Sequence, residues 1–170
     1  IHPGSRWLFK CWPEEPTAAL IEKIAAQRLR VVVTGAPDER ERTLVASILA
    51  LLPPAVRADV VDLTGQLSLA ELPALTAEAR AFAGVDSAPM HIAAAMRTPT
   101  LALFGPSSEI AWGPWQVMHR VVVSDRHPCR PCGLDGCGGG KVSECLTTLP
   151  VERVETAFQS LLAQTAGGAD

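Results

Sequence analysis

Apolar positions along this chain switch between two spacings, and the switching predicts the order of its elements. Between residues 14 and 29, Ala18, Leu20, Ile21, Ile24, Ala25 and Leu29 mark one helical face, with Pro13 just ahead of it. Over 30–34, Val31-Val32-Val33 is a short apolar run closed by Gly35, which reads as a strand buried on both faces. A second helix is predicted over 38–52, with Asp38 as its N-cap and Pro53-Pro54 as its end, and a second strand over 58–63. Ser68 followed three positions on by Glu71 is a capping box, opening a helix that runs through Arg80. Strands over 81–85, 100–104 and 119–123, a short helix over 87–96 and a closing helix over 150–162 complete the series. The Gly/Ala-rich tail 165–170 is expected to fray.

Strands alternating with helices through short turns predict an α/β fold: a Rossmann-like parallel sheet with helices on both faces, one domain over 1–164. No internal repeat is visible. In such sheets ligands sit beyond the carboxyl ends of the strands, so the residues just after each strand are the ones to read for chemistry. The opening Ile1-His2-Pro3-Gly4-Ser5 carries no initiator Met, no basic leader and no cleavage pattern. It reads as a chain cut just after or inside a buried strand, a fragment of something longer with no secretory signal.

Composition narrows the classes. The 170 residues are 48% hydrophobic and 19% charged, enough for a core and too apolar for disorder. A net charge of −3 argues against a general nucleic-acid binder. The longest apolar run, over 44–52, is interrupted by Ser47 and falls short of the roughly 18 residues of a membrane span.

Four post-strand loops carry the unusual chemistry. Asp86-Ser87-Ala88-Pro89-Met90-His91 follows a strand and opens a helix; Ser87 or Asp86 can cap it, and Pro89 suits its first turn. The amides of such a helix start suit a phosphate, and His91 either donates to a phosphate or sugar oxygen or is a structural histidine. The loop 4–13 joins Arg6 and Lys10 to Trp7 and Trp12, either an anion site with an aromatic wall or basic side chains lying over buried indoles. Glu39 in Gly35-Ala36-Pro37-Asp38-Glu39 either binds two ribose hydroxyls or serves as a first-turn carboxylate. Phe104-Gly105-Pro106-Ser107-Ser108 opens toward the same crevice, whereas Trp112-Gly113-Pro114-Trp115 reads as a packing corner. No Walker-type run and no G-x-G-x-x-G is present, against a P-loop or a dinucleotide oxidoreductase.

Cys129, Cys132, Cys137 and Cys145 fall in a C-x2-C-x4-C-x7-C spacing within a Gly-rich loop. Four thiolates so close suit a tetrahedral zinc, although the spacing is not a familiar finger; reduced thiols packed under a loop, or a disulfide, are the alternatives. Cys11 reads as a buried thiol without chemistry.

The ordered set H-P-G-S-x-x-x-x-K-x-W-P (from His2), G-A-P-D-E (from Gly35), D-L-T-G-x-L-S-L (from Asp62), D-S-A-P-M-H-I-A-A-A (from Asp86), T-P-T-x-A-L-F-G-P (from Thr98) and W-G-P-W (from Trp112) resembles glycosyltransferase family 9, the bacterial lipopolysaccharide heptosyltransferases. Segments 5–12 and 145–154 look closest to the heptosyltransferase III type. The resemblance implies the C-terminal, donor-binding half of a two-domain GT-B enzyme, an inverting transferase moving heptose from ADP-heptose to the lipopolysaccharide inner core. By it, Lys10 and His91 neutralise the donor pyrophosphate together with Ser5 and the backbone at Ser87, Ala88 and Met90. Glu39 holds the ribose, Leu67 walls the adenine and Asp86 binds sugar hydroxyls. Fixed positive groups would stabilise the leaving ADP, so no metal and no cofactor beyond the donor substrate is expected. Ala88 stands where the family usually has Gly, and would be strained if that backbone required a positive φ. The resemblance places the acidic base, the lipid-linked saccharide acceptor and any membrane contact with the other half, so this chain carries no catalytic residue of its own. It also implies a cytoplasmic enzyme, peripheral to the inner face of the inner membrane. The competing readings are a UDP-sugar transferase or epimerase, and a metal-stapled interaction module.

Overall fold

A computed structural model of the chain describes residues 1–166. Helices α1 (Glu14–Ala25), α2 (Glu39–Ala50), α3 (Pro54–Asp59), α4 (Glu71–Ala77), α5 (Ala88–Ala95), α6 (Glu109–Trp112), α7 (Glu144–Thr147) and α8 (Val151–Ala166) surround five named strands. β1 (Val32–Val33) pairs in parallel with β2 (Val61–Asp62). β3 (Phe82–Val85) pairs in parallel with β4 (Thr100–Phe104), and β4 with β5 (His119–Val123).

Residues 1 and 2 join these two sheets. The Ile1 amine donates to the Val32 carbonyl at 2.6 Å, and the Thr34 amide donates back to the Ile1 carbonyl at 2.9 Å. On the other side the His2 amide donates to the Ala83 carbonyl at 2.9 Å, in parallel register with Gly84. The sheet therefore runs β2, β1, residues 1–2, β3, β4, β5, which in chain order is 3-2-1-4-5-6. That is the strand order of doubly wound nucleotide-binding folds, and its direction reverses between residues 1–2 and β3.

Both faces of the sheet are covered, as the unbroken apolar strands require. On β4, Leu101 and Leu103 face a large core that includes Trp12, Ile21, Ile48, Val154 and Leu161, while Ala102 and Phe104 face a smaller one with Phe82, Met90 and Ala93. Trp12 ties the first loop to the start of α8 by donating from Nε1 to the Leu149 carbonyl at 3.1 Å.

Several elements differ from expectation. The stretch 58–63 is a strand only at Val61–Asp62, because Pro54 opens a further helix: its fixed φ suits a first helical turn, and 55–59 continue as α3. The capping box is complete, with the Ser68 amide donating to the Glu71 carboxylate at 2.8 Å and the Glu71 amide to Ser68 Oγ at 3.2 Å. Its helix ends at Ala77 rather than Arg80. Asp38 caps α2 through the amides of Arg40 and Glu41, at 3.1 and 3.3 Å. α8 continues through Ala166, beyond the predicted start of the tail, and the rest of that tail, 167–170, lies outside the described residues.

Candidate functional site

The cleft at the reversal point follows from the topology. The chain leaves residues 1–2 into Gly4 and Ser5, leaves β1 into Gly35-Ala36-Pro37, and leaves β3 into Asp86 and Ser87. These three exits, with Leu67 and Ser68 ahead of α4, enclose about 510 Å³ at the carboxyl edge of the sheet. A smaller hollow of about 280 Å³ lies at the amino ends of β1 and β3, away from these loops.

Seven of the nine expected donor-binding residues line the cleft: Ser5, Lys10, Leu67, Asp86, Ser87, Ala88 and His91. Lys10 Nζ contacts the Asp86 carboxylate at 2.7 Å, with the lysine side chain 24% exposed and the aspartate 8%. Ser5 Oγ donates to the Asp86 carbonyl and accepts from the Trp7 amide, each at 3.4 Å, so it ties the two loops together. His91 is exposed in the first turn of α5.

Two expected residues stand elsewhere. Met90 is fully buried in the smaller core, and its amide donates to the Ser87 carbonyl at 3.1 Å, closing the first turn of α5. Glu39 does not line the cleft but borders a neighbouring groove with Arg40, Thr43 and Phe9. Of the two α2 carboxylates, the one that lines the cleft is Glu41, which sequence reasoning passed over. It accepts from the Ala36 amide at 2.7 Å and lies 3.3 Å from His2 Nε2, while His2 Nδ1 lies 2.9 Å from Thr34 Oγ1. Burial alone would push the Glu41 carboxyl up, but His2 and the Ala36 amide hold it below its ordinary value. A Cβ on Gly4 would run into this carboxylate, so the close approach of loop and glutamate requires glycine there.

The start of α5 also departs from expectation. Neither Ser87 nor Asp86 caps it: Ser87 Oγ donates to the Val85 carbonyl at 3.2 Å, leaving the helix start without a side-chain cap. Ala88 is the first residue of α5 and is not among the residues with positive φ, so alanine is accommodated there without strain.

Cys129, Cys132 and Cys137 are exposed and Cys145 is buried, all are free thiols, and among the described residues no three His, Cys, Asp or Glu converge on a point that could hold an ion. Burial raises the Cys145 thiol, and pushes the Cys11 thiol up to about 12 despite a backbone hydrogen bond from Ser5. Trp112-Gly113-Pro114-Trp115 is not a packing corner either, since Trp112 is 58% and Trp115 75% exposed. Among the described residues, no helix is long and apolar enough to cross a membrane.

Known proteins agree with this geometry. Residues 1–142 match the family model of glycosyltransferase family 9 (heptosyltransferase). The lipopolysaccharide heptosyltransferase 3 of Escherichia coli K12 is 31% identical over 172 residues, which take in 100% of this chain and 48% of that protein. A second E. coli lipopolysaccharide heptosyltransferase 3 is 41% identical over 117 residues, 68% of this chain and 33% of the relative. Among solved structures, E. coli ADP-heptose LPS heptosyltransferase II superposes with a TM-score of 0.80 at 27% identity, covering 98% of this chain and 46% of that one. The chain thus spans half or less of the length of these relatives, and its fold is that of one half of a GT-B enzyme. With the family model covering residues 1–142 and a relative 31% identical along the whole chain, this chain belongs to glycosyltransferase family 9.

Proposed function

We propose that this chain is the donor-binding half of an inverting glycosyltransferase that moves heptose from ADP-heptose to the lipopolysaccharide inner core. The observation that carries the reading is the meeting of Lys10, His91 and the uncapped start of α5 in one cleft at the reversal point of the sheet. A helix start offers free amides and the positive end of its dipole to an anion. Lys10 adds a side-chain cation and His91 an imidazole that can donate to a phosphate oxygen, and Ser5 fixes the loop that carries Lys10. Glu39, two residues beyond the cleft-lining Pro37, has an exposed carboxylate that turns in from the neighbouring groove to take the ribose diol, whereas the Glu41 carboxylate is already engaged by His2 and Ala36. Leu67 provides an apolar wall for the base, and Asp86 exchanges its contact with Lys10 for hydroxyls of the sugar.

In the reaction the acceptor hydroxyl attacks the anomeric carbon, the bond from that carbon to the phosphate oxygen breaks, and ADP leaves with the electron pair. The positive groups of the cleft meet charge that grows as the bond breaks, so they favour the transition state over the bound substrate. The hydroxyl proton goes to an acidic base in the acceptor half, which also carries the lipid-linked saccharide and any contact with the membrane. Names of relatives support the donor: solved E. coli WaaC structures hold ADP and ADP-2-deoxy-2-fluoro heptose.

Calorimetric titration with ADP, ADP-heptose and UDP tests the reading. Binding of the adenine ligands in preference to UDP is expected, with no heptose transfer by this chain alone. Preference for UDP would favour the UDP-sugar reading, and transfer by the isolated chain would overturn the placement of the base.

A further inference from the structure

A second groove, of about 590 Å³, opens from Lys10 toward the carboxyl end of β4. Trp7 and Lys10 line both it and the nucleotide cleft, so the two are continuous. Its other walls are Ser107 in the turn after β4, Trp112 of α6, and Gly133 and Asp135 in the cysteine-bearing segment.

These walls are fixed from behind. The Arg130 guanidinium, 6% exposed, donates to the Gly105 carbonyl at 2.5 Å and the Ser107 carbonyl at 3.4 Å, and pairs with Glu109 at 3.2 Å. The Gly133 amide donates to the Pro106 carbonyl at 2.9 Å. A segment with little apolar content of its own is thereby clamped to the turn after β4, and the space between them keeps its shape. Such preorganisation is what a binding groove needs and a solvated loop does not.

The lining combines two exposed indoles, Trp7 at 48% and Trp112 at 58%, with a hydroxyl, a carboxylate and an ammonium. A pyranose ring matches that combination. Its axial C–H face packs on a flat aromatic surface, while its equatorial hydroxyls need donors and acceptors around the rim. Position adds to the match, because the groove begins where the cleft's phosphate-facing cation ends.

We infer that this groove is a pyranose subsite on the donor half for one ring of the acceptor saccharide that reaches across from the acceptor half, stacked on Trp112 with its hydroxyls on Ser107 and on the Asp135 carboxylate, which it shares with Lys141. The inference rests on the donor reading above, and its test is separable from it. In the full-length enzyme, Trp112→Ala should raise the KM for deacylated core oligosaccharide tenfold or more. The kcat should stay within threefold and ADP affinity within twofold, and Trp112→Phe should restore most of the loss. Trp112 lies outside the hydrophobic core of this half, so its loss opens no cavity there, and an unchanged Tm of the full-length variant verifies the fold. Direct titration of the same oligosaccharide reads the groove without turnover, so a failure of the ADP-heptose reading would not by itself alter this result. If Trp112→Ala instead abolishes the preference for ADP-heptose over ADP and leaves the acceptor KM unchanged, the ring in the groove is the donor's and the acceptor assignment falls. If neither quantity moves by threefold, the groove is no saccharide subsite.

Discussion

Lys10→Ala is the perturbation on which the donor reading turns. Without ligand, Lys10 Nζ sits 2.7 Å from a carboxylate that is only 8% exposed. Removing the lysine leaves Asp86 largely buried and unpaired. A fully buried pair broken on one side costs about 3–5 kcal/mol; with Lys10 partly solvated, we expect about 1–2 kcal/mol, read as a lower urea midpoint at constant m. The effect on ADP should be larger and double in origin. The phosphate loses a charge-assisted contact of about 1.5–3 kcal/mol, and Asp86 is left facing the incoming anion without its counter-charge. Together these predict at least a tenfold to hundredfold rise in the calorimetric Kd for ADP. Asp86→Ala separates the two terms, because it frees Lys10: ADP should then bind as well as to the parent chain or up to about tenfold tighter, while discrimination in favour of the sugar nucleotide is lost. Lys10→Ala binding ADP within twofold of the parent chain, at unchanged fold, would refute the reasoning.

Further outcomes follow from the same geometry. Alkylation of the native chain should modify Cys129, Cys132 and Cys137 quickly, and Cys11 and Cys145 only on unfolding, as mass spectrometry would show; fast labelling of Cys11 contradicts its raised pKa. Glu41 has a lowered pKa, so its contribution to stability is full above its ordinary value of 4.5 and is lost as pH falls through the lowered folded value. Urea midpoints between about pH 2.5 and 6 should therefore drop less steeply for Glu41→Gln than for the parent chain. Leu146 is fully buried in the larger core, so Leu146→Ala should cost about 2–5 kcal/mol in urea unfolding.

Local signals in the sequence were legible where one turn decides them. Asp38 and the Ser68–Glu71 box act within four residues, and both form as the spacing predicts. Pro53-Pro54 was ambiguous because proline suits both the end of one helix and the start of the next, and only the tertiary packing of 55–59 selects between them. The acidic residues after β1 show another limit. Glu39 and Glu41 stand two apart on α2, a rotation of about 200°, so they face nearly opposite sides. Which one meets the cleft depends on how α2 packs against α1 and residues 1–2, and the motif alone does not say. The cysteine spacing suggested four equivalent thiols, yet Cys129, Cys132 and Cys137 are exposed while Cys145 is buried, a difference that spacing alone does not show. A rigid Trp-Gly-Pro-Trp turn has the same local shape whether or not anything covers it, so its exposure was invisible in sequence.

The strand to which residues 1–2 belong lies as a seam between the half-sheets, and that has a consequence for folding. β1 with β2, and β3 with β4, are each built from pairings that close within about 30 to 20 residues of chain. Ile1 meets Val32 and His2 meets Ala83, and the latter contact must close some 80 residues of loop, the kind of step that comes late and slowly. On the donor reading, the base wall of the cleft belongs to the β1–β2 side and the phosphate end to the β3 side. The nucleotide site therefore comes into being only when the seam closes, and a bound nucleotide, touching both sides, would act as a clasp on it. Amide exchange at Thr34 and Ala83 should accordingly slow on saturation with ADP more than exchange within β4, making ligand occupancy a gauge of whether the two halves of the sheet have been joined.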